Sequence, residues 1–113
     1  MRPSVRGDFT LASGSAKSLD FKIMSREKTK VLVIDDEKDY TDLVVLNLQD
    51  KGYDAEAIND GTGAVEKVRE YQPDVILLDM VMPKVDGGEV LGALKRVPDF
   101  ARIPVLFVSA LAD

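Results

Sequence analysis

The stretch PDVILLDMVMPKVDGGEV, residues 73–90, decides the fold. Four consecutive apolar residues, 75–78, have the length and β-branched texture of a strand buried on both faces. That run closes on a carboxylate, Asp79, where an uncompensated buried charge would cost several kcal/mol. A proline, two glycines and a second carboxylate, Asp86, follow, which is loop chemistry leading into a new element. Working outward, KVLVIDDE (30–37) is a second such run that also ends in acids. Between the two, Tyr40, Leu43, Val44 and Leu48 fall at helical spacing, with Asp39 placed to cap the start and Gly52 to close the end. YDAEAI is a modest strand with a turn, NDG, after it. Ala64, Val65, Val68 and Tyr71 line a second helix that stops at Gln72–Pro73. Beyond the opening stretch, Val90, Leu91, Leu94 and Val97 stripe a third helix ended by Pro98, and IPVLFVSA (103–110) is a last strand.

The order is β-α-β-α-β-α-β. Alternating strands and helices imply right-handed crossovers, a parallel sheet and helices on both of its faces, an α/β doubly wound fold. Functional groups in such sheets gather beyond the carboxyl ends of the strands. Residues 1–29 lack a sustained period and are rich in Ser, Gly and charge, so they read as a flexible leader ahead of a domain at 30–113.

Composition removes whole classes of chemistry. The 113 residues include no cysteine and no histidine, which excludes disulfides, thiol nucleophiles, a Ser-His-Asp triad and Cys/His zinc sites. Any metal must be held by oxygen, which points to magnesium, manganese or calcium. No stretch approaches a membrane span and no apolar signal-peptide core is present, so a cytoplasmic location is expected. Residues 31–113 carry eight Lys/Arg against seventeen Asp/Glu, a balance that argues against direct nucleic-acid binding.

The expected rim collects Asp35 and Asp36 from the first strand, Asp79 from the third and Ser109 from the fourth. Like charges about 4 Å apart repel by about 4 kcal/mol at an effective dielectric of 20. A hard divalent ion would offset that repulsion, and magnesium suits a few carboxylates completed by water. A metal-held carboxylate can also serve as a nucleophile toward phosphorus.

Together, VLVIDDE (31–37), VILLDMVMPKVDGGEV (75–90) and IPVLFVSA (103–110) resemble the receiver domain of two-component response regulators. Asp35 and Asp79 are 44 residues apart, and Asp79 and Ser109 are 30 apart, which matches that pattern. The resemblance implies a flavodoxin-like sheet of order 2-1-3-4-5. It implies that Asp79 accepts a phosphoryl group from a histidine kinase or phosphotransfer protein, in phosphorelay signalling rather than as a true enzyme. It further implies that Asp36 binds Mg2+ directly, Asp35 partly through water, and the backbone carbonyl of Val81 as a further ligand. Ser109 would be the switch hydroxyl beside a small Ala110, with Pro83 and Gly87 shaping the loop. Asp86 reads as a turn-setting residue and not a ligand, and Tyr40, Tyr53 and Tyr71 as packing residues.

Against that pattern the expected elements stop after the fourth strand, short of a helix, a fifth strand bearing a lysine, and a last helix. The receiver is therefore expected to be truncated, and phosphorylation slower for want of that lysine. Residues 104–108 become an edge without charge, and self-association through it is expected. The alternative reading is a truncated receiver that is not phosphorylated and acts as an interaction module or inert fragment.

Overall fold

The computed structural model describes residues 27–108. Its elements run β1 (Lys30–Ile34), α1 (Lys38–Asp50), β2 (Asp54–Ile58), a short 3-10 turn (Gly61–Gly63), α2 (Ala64–Tyr71), β3 (Val75–Asp79), α3 (Gly87–Lys95), a second 3-10 turn (Pro98–Phe100) and β4 (Val105–Val108). The strands form one parallel sheet in the order β2-β1-β3-β4. The expected alternation and the first four positions of the doubly wound order are both present. Ser109 and Ala110, like residues 1–26, lie outside the described residues.

β1 is central and buried on both faces, which is why its sequence is a continuous apolar run and not an alternating one. Leu32 and Ile34 point into a cluster with Ile76, Leu78, Met82 and the apolar faces of α2 and α3, including Val68, Val90 and Leu94. Val31 and Val33 point the other way, onto Ala55, with Val44, Val45 and Leu48 of α1 packed behind them. The period-2 strand geometry thus divides one run of sequence between two cores. Burying each aliphatic side chain in this way is worth about 1.5–3 kcal/mol.

Two details of α1 differ from expectation. The helix begins at Lys38 after Glu37, which makes no side-chain cap, so Asp39 sits in the first turn instead of capping it. The face turned to the sheet is Thr41, Val44, Val45 and Leu48; Tyr40 and Leu43 are on the exposed side, Leu43 at 57%. The reason is local. Thr41 is fully buried because its hydroxyl donates to Lys38 O and accepts from Asn59, so a polar residue takes the inward position that periodicity gave to Tyr40. Gly52 closes the helix as expected, at φ +97°, where a side chain would be strained.

The second helix ends as read, with Gln72 in the left-handed region before Pro73. The third is shorter than its apolar stripe. It ends at Lys95 with Arg96 as its cap, and Val97 packs from the link to the turn that Pro98 starts. Asp86 begins this helix. Its carboxylate accepts from Glu89 N at 2.9 Å while the Glu89 carboxylate accepts from Asp86 N at 3.2 Å, a reciprocal capping box. Turn-setting is thus what Asp86 does. Tyr71 is buried, with its hydroxyl donating to Asp54, and Tyr53 packs on the α1-side core, while Tyr40 is 38% exposed.

Candidate functional site

β1 and β3 are neighbours in register, Ile34 opposite Leu78, so their next residues emerge together at the carboxyl edge of the sheet. Asp35 follows β1 and Asp79 ends β3. With Asp36 they bring one carboxylate oxygen each to within 4.8 Å of one another. Asp35 is 3% exposed and Asp79 6%, while Asp36 is half-buried. Among the described residues no lysine or arginine forms an ion pair with any of the three.

Backbone donors orient the two buried acids. Glu37 N donates to Asp35 Oδ1 at 3.0 Å, and Val81 N donates to Asp79 Oδ1 at 3.2 Å. Burial is the main cause pushing the Asp35 carboxyl above its ordinary value; the Glu37 bond opposes it, and the charges of Asp79 and Asp36 add to it. Three oxygen-only ligands, mutually repelling and with no ion-paired cation among the described residues, form a donor set suited to a hard divalent ion. Zinc or copper would favour nitrogen or sulfur.

The loop from β3 to α3 is held close to the acids. Gly87 N donates to Met80 O at 3.0 Å. A Cβ at Gly87 would lie 2.6 Å from Asp79 O and 2.8 Å from Met80 Cα, so glycine is what lets α3 start this near the strand end. Met82 is buried in the larger core and pins the loop from below. Val81, whose carbonyl was the further expected ligand, is 72% exposed on that loop. Beside Asp36 a small cleft is lined by Asn59, Asp60, Gly61, Met82, Pro83, Lys84 and Val85. Lys84 stands 3.6 Å from Asp60, across this cleft. The structure therefore brings Asp35, Asp36 and Asp79 together and sets Val81 next to them; the position of Ser109 lies outside the described residues.

Sequence reasoning passed over Asn59 and Thr41. Asn59 read only as part of a turn, yet it follows the carboxyl end of β2, the same sheet edge that carries the acids. That placement was the available signal.

The model of the response regulator receiver domain family matches residues 31–113. The chain belongs to the response regulator receiver domain family. Among its relatives is the DNA-binding dual master transcriptional regulator RpaA of Synechocystis, 43% identical over 84 residues, which are 74% of this chain and 35% of RpaA. The chain thus spans about a third of the length of this curated relative. Among solved structures, the chemotaxis protein CheY4 of Vibrio cholerae superposes with a TM-score of 0.68 at 34% identity, covering 71% of this chain and 67% of CheY4. The N-terminal domain of a response regulator receiver protein from Methanoculleus marisnigri gives 0.66 at 35% identity, covering 69% and 63%. The fold is the flavodoxin-like receiver fold, and the chain is a receiver domain of two-component signalling. Receivers as a class work with histidine kinases or phosphotransfer proteins, are generally not true enzymes, and typically bind Mg2+ at an acidic pocket. In this chain Asp35, Asp36 and Asp79 form a cluster of acids at the carboxyl edge of the sheet. No helix among the described residues is long and apolar enough to cross a membrane.

Proposed function

We propose that this receiver takes a phosphoryl group onto Asp79 from a histidine kinase or phosphotransfer protein, in the cytoplasm, as one step of a phosphorelay. The observation that carries the reading is the convergence of three carboxylates from adjacent parallel strand ends, one of them nearly buried at the end of β3. Asp35, Asp36 and Asp79, with the Val81 carbonyl, would hold Mg2+, which when bound neutralises negative charge on the phosphoryl oxygens. Asp79 supplies the attacking oxygen. Its new O–P bond forms as the P–N bond of the donor phosphohistidine breaks, and the departing imidazole keeps the electron pair and takes up a proton. The Val81 N–H orients the Asp79 carboxylate for that approach. Ser109 would give a hydroxyl to the transferred group, as the family resemblance implies.

Labelling with a small phosphodonor in the presence of Mg2+ tests the assignment. The parent protein should form an acid-stable, base-labile acyl phosphate, and Asp79→Asn should form none. Labelling that persists in Asp79→Asn, or none in the parent, would overturn it.

A second reading, self-association through residues 104–108, is favoured by one observation. Leu106 and Phe107 point to opposite faces of β4 and are 55% and 45% exposed, while among the described residues β4 pairs only with β3. An apolar strand whose second edge pairs with no strand among the described residues can act as a template for another strand. Light scattering at micromolar concentration should then show dimers or larger species that decrease in Leu106→Lys. A monomer in both proteins would end this reading without touching the phosphoacceptor assignment.

A further inference from the structure

The acidic loop is held at one further point, and the residue that holds it belongs to a different strand. Asn59, just past the carboxyl end of β2, donates from Nδ2 to the backbone carbonyl of Asp35 at 2.7 Å and to Thr41 Oγ1 at 2.9 Å. Thr41 is fully buried in the first turn of α1 and passes its own proton to Lys38 O at 3.1 Å. One carboxamide nitrogen thus uses both of its protons, one on each side of the Asp35–Lys38 loop. On the other flank, Asp35 N donates to Ile58 O at 3.2 Å, so the Asp35 peptide groups are fixed from β2 in both directions. Asn59 also lines the small cleft beside Asp36.

The consequence falls on the carboxylates. Asp35 and Asp36 are consecutive residues on a turn between strand and helix, where backbone freedom would otherwise let them separate. Mutual repulsion among three acids pushes in that direction. Fixing the Asp35 carbonyl opposes it, because a rotation of the Asp35–Asp36 peptide that moved either side chain outward would break the 2.7 Å bond. We infer that Asn59 is a positioning residue for metal binding: it fixes the peptide between Asp35 and Asp36 so that both carboxylates face Asp79 before an ion arrives. The inference rests on the reading of this cluster as a Mg2+ site, and it concerns a residue that touches no ion itself. Groups that orient the ligands of a metal without joining them commonly govern its affinity.

The test is Mg2+ titration of the full chain, followed by calorimetry or by backbone amide shifts, in parallel with urea denaturation in EDTA. Asn59→Ala should raise the Mg2+ dissociation constant by about tenfold. Thr41→Val, which keeps the Asn59 bond to Asp35 O, should raise it by less than about threefold. A residue with only a structural part would lower the urea midpoint in EDTA and leave the dissociation constant of the folded protein where it was, and that result would overturn the inference. Should Asn59→Ala fail to fold, Asn59→Asp keeps the shape and removes the donor. Its added negative charge alone would strengthen binding of a cation, so weaker binding supports the lost hydrogen bond as the cause and stronger binding refutes it. If the parent protein binds no Mg2+, both the site reading and this inference fall; if the parent binds and Asn59→Ala binds equally well, only this inference does.

Discussion

Replacing Asp35 by Asn should make the metal-free protein more stable, although it alters a buried residue of the site. In the parent, the ligand oxygens of Asp35, Asp36 and Asp79 lie within 4.8 Å of one another. Two unit charges at that distance repel by about 3.5 kcal/mol at an effective dielectric of about 20. Asp35 faces two such neighbours, but Asp36 is half-buried and reaches solvent, which screens its share. The amide keeps Oδ1, so the 3.0 Å bond from Glu37 N survives the change. The net gain should be about 1–2 kcal/mol, or about 5–10 °C in the melting temperature of a domain this small. Thermal melts followed by circular dichroism at neutral pH in EDTA measure it directly. Adding millimolar Mg2+ should raise the melting temperature of the parent and do much less for the variant, because a ligand is gone.

The pH dependence carries the same sign. Burial first, and then Asp79 and Asp36, hold the Asp35 carboxyl above its ordinary 3.8 in the folded state against the Glu37 bond. The folded protein therefore binds this proton more tightly than the unfolded chain does. The stability contributed by protonated Asp35 is fully present below 3.8 and is lost as pH rises through the raised folded value. Asp35→Asn has no such loss, so its advantage in EDTA should grow across that window and level off above it. A variant melting at or below the parent in EDTA at neutral pH would refute the repulsion on which the metal reading depends.

Asp86→Ala removes the acceptor for Glu89 N and keeps only the other half of the capping box, the bond from the backbone N of residue 86 to the Glu89 carboxylate; a loss of about 1 kcal/mol is expected, measured by urea denaturation. Gly87→Ala forces a Cβ to within 2.6 Å of Asp79 O, a backbone atom that cannot step aside cheaply, and should cost about 1–3 kcal/mol in the same assay. Gly63→Ala is the control. Its Cβ would meet nothing within 4 Å, so its midpoint should shift by no more than about 0.5 kcal/mol in either direction.

Much of the fold was legible because a parallel sheet buried on both faces writes itself as uninterrupted apolar runs. Residues 31–34 and 75–78 could scarcely be anything else, and carboxylates at the ends of such runs could only lie at one edge of the sheet. Asp35, Asp36 and Asp79 followed from that rule and from the parallel order. Which side of α1 faces the sheet did not follow. Helical spacing put Tyr40 and Leu43 on the apolar face in place of Thr41, and only the tertiary arrangement supplies the Asn59 amide and the Lys38 carbonyl that let a threonine hydroxyl be buried without loss. The role of Asn59 was hidden for the same reason. A hydrogen bond between residues 24 positions apart leaves no period in a sequence, because it exists only once β2 lies beside β1. The sequence by itself determined which residues are apolar enough to form the sheet and which acids end its strands. The distances between those acids, and the contacts that hold them there, were decided by packing.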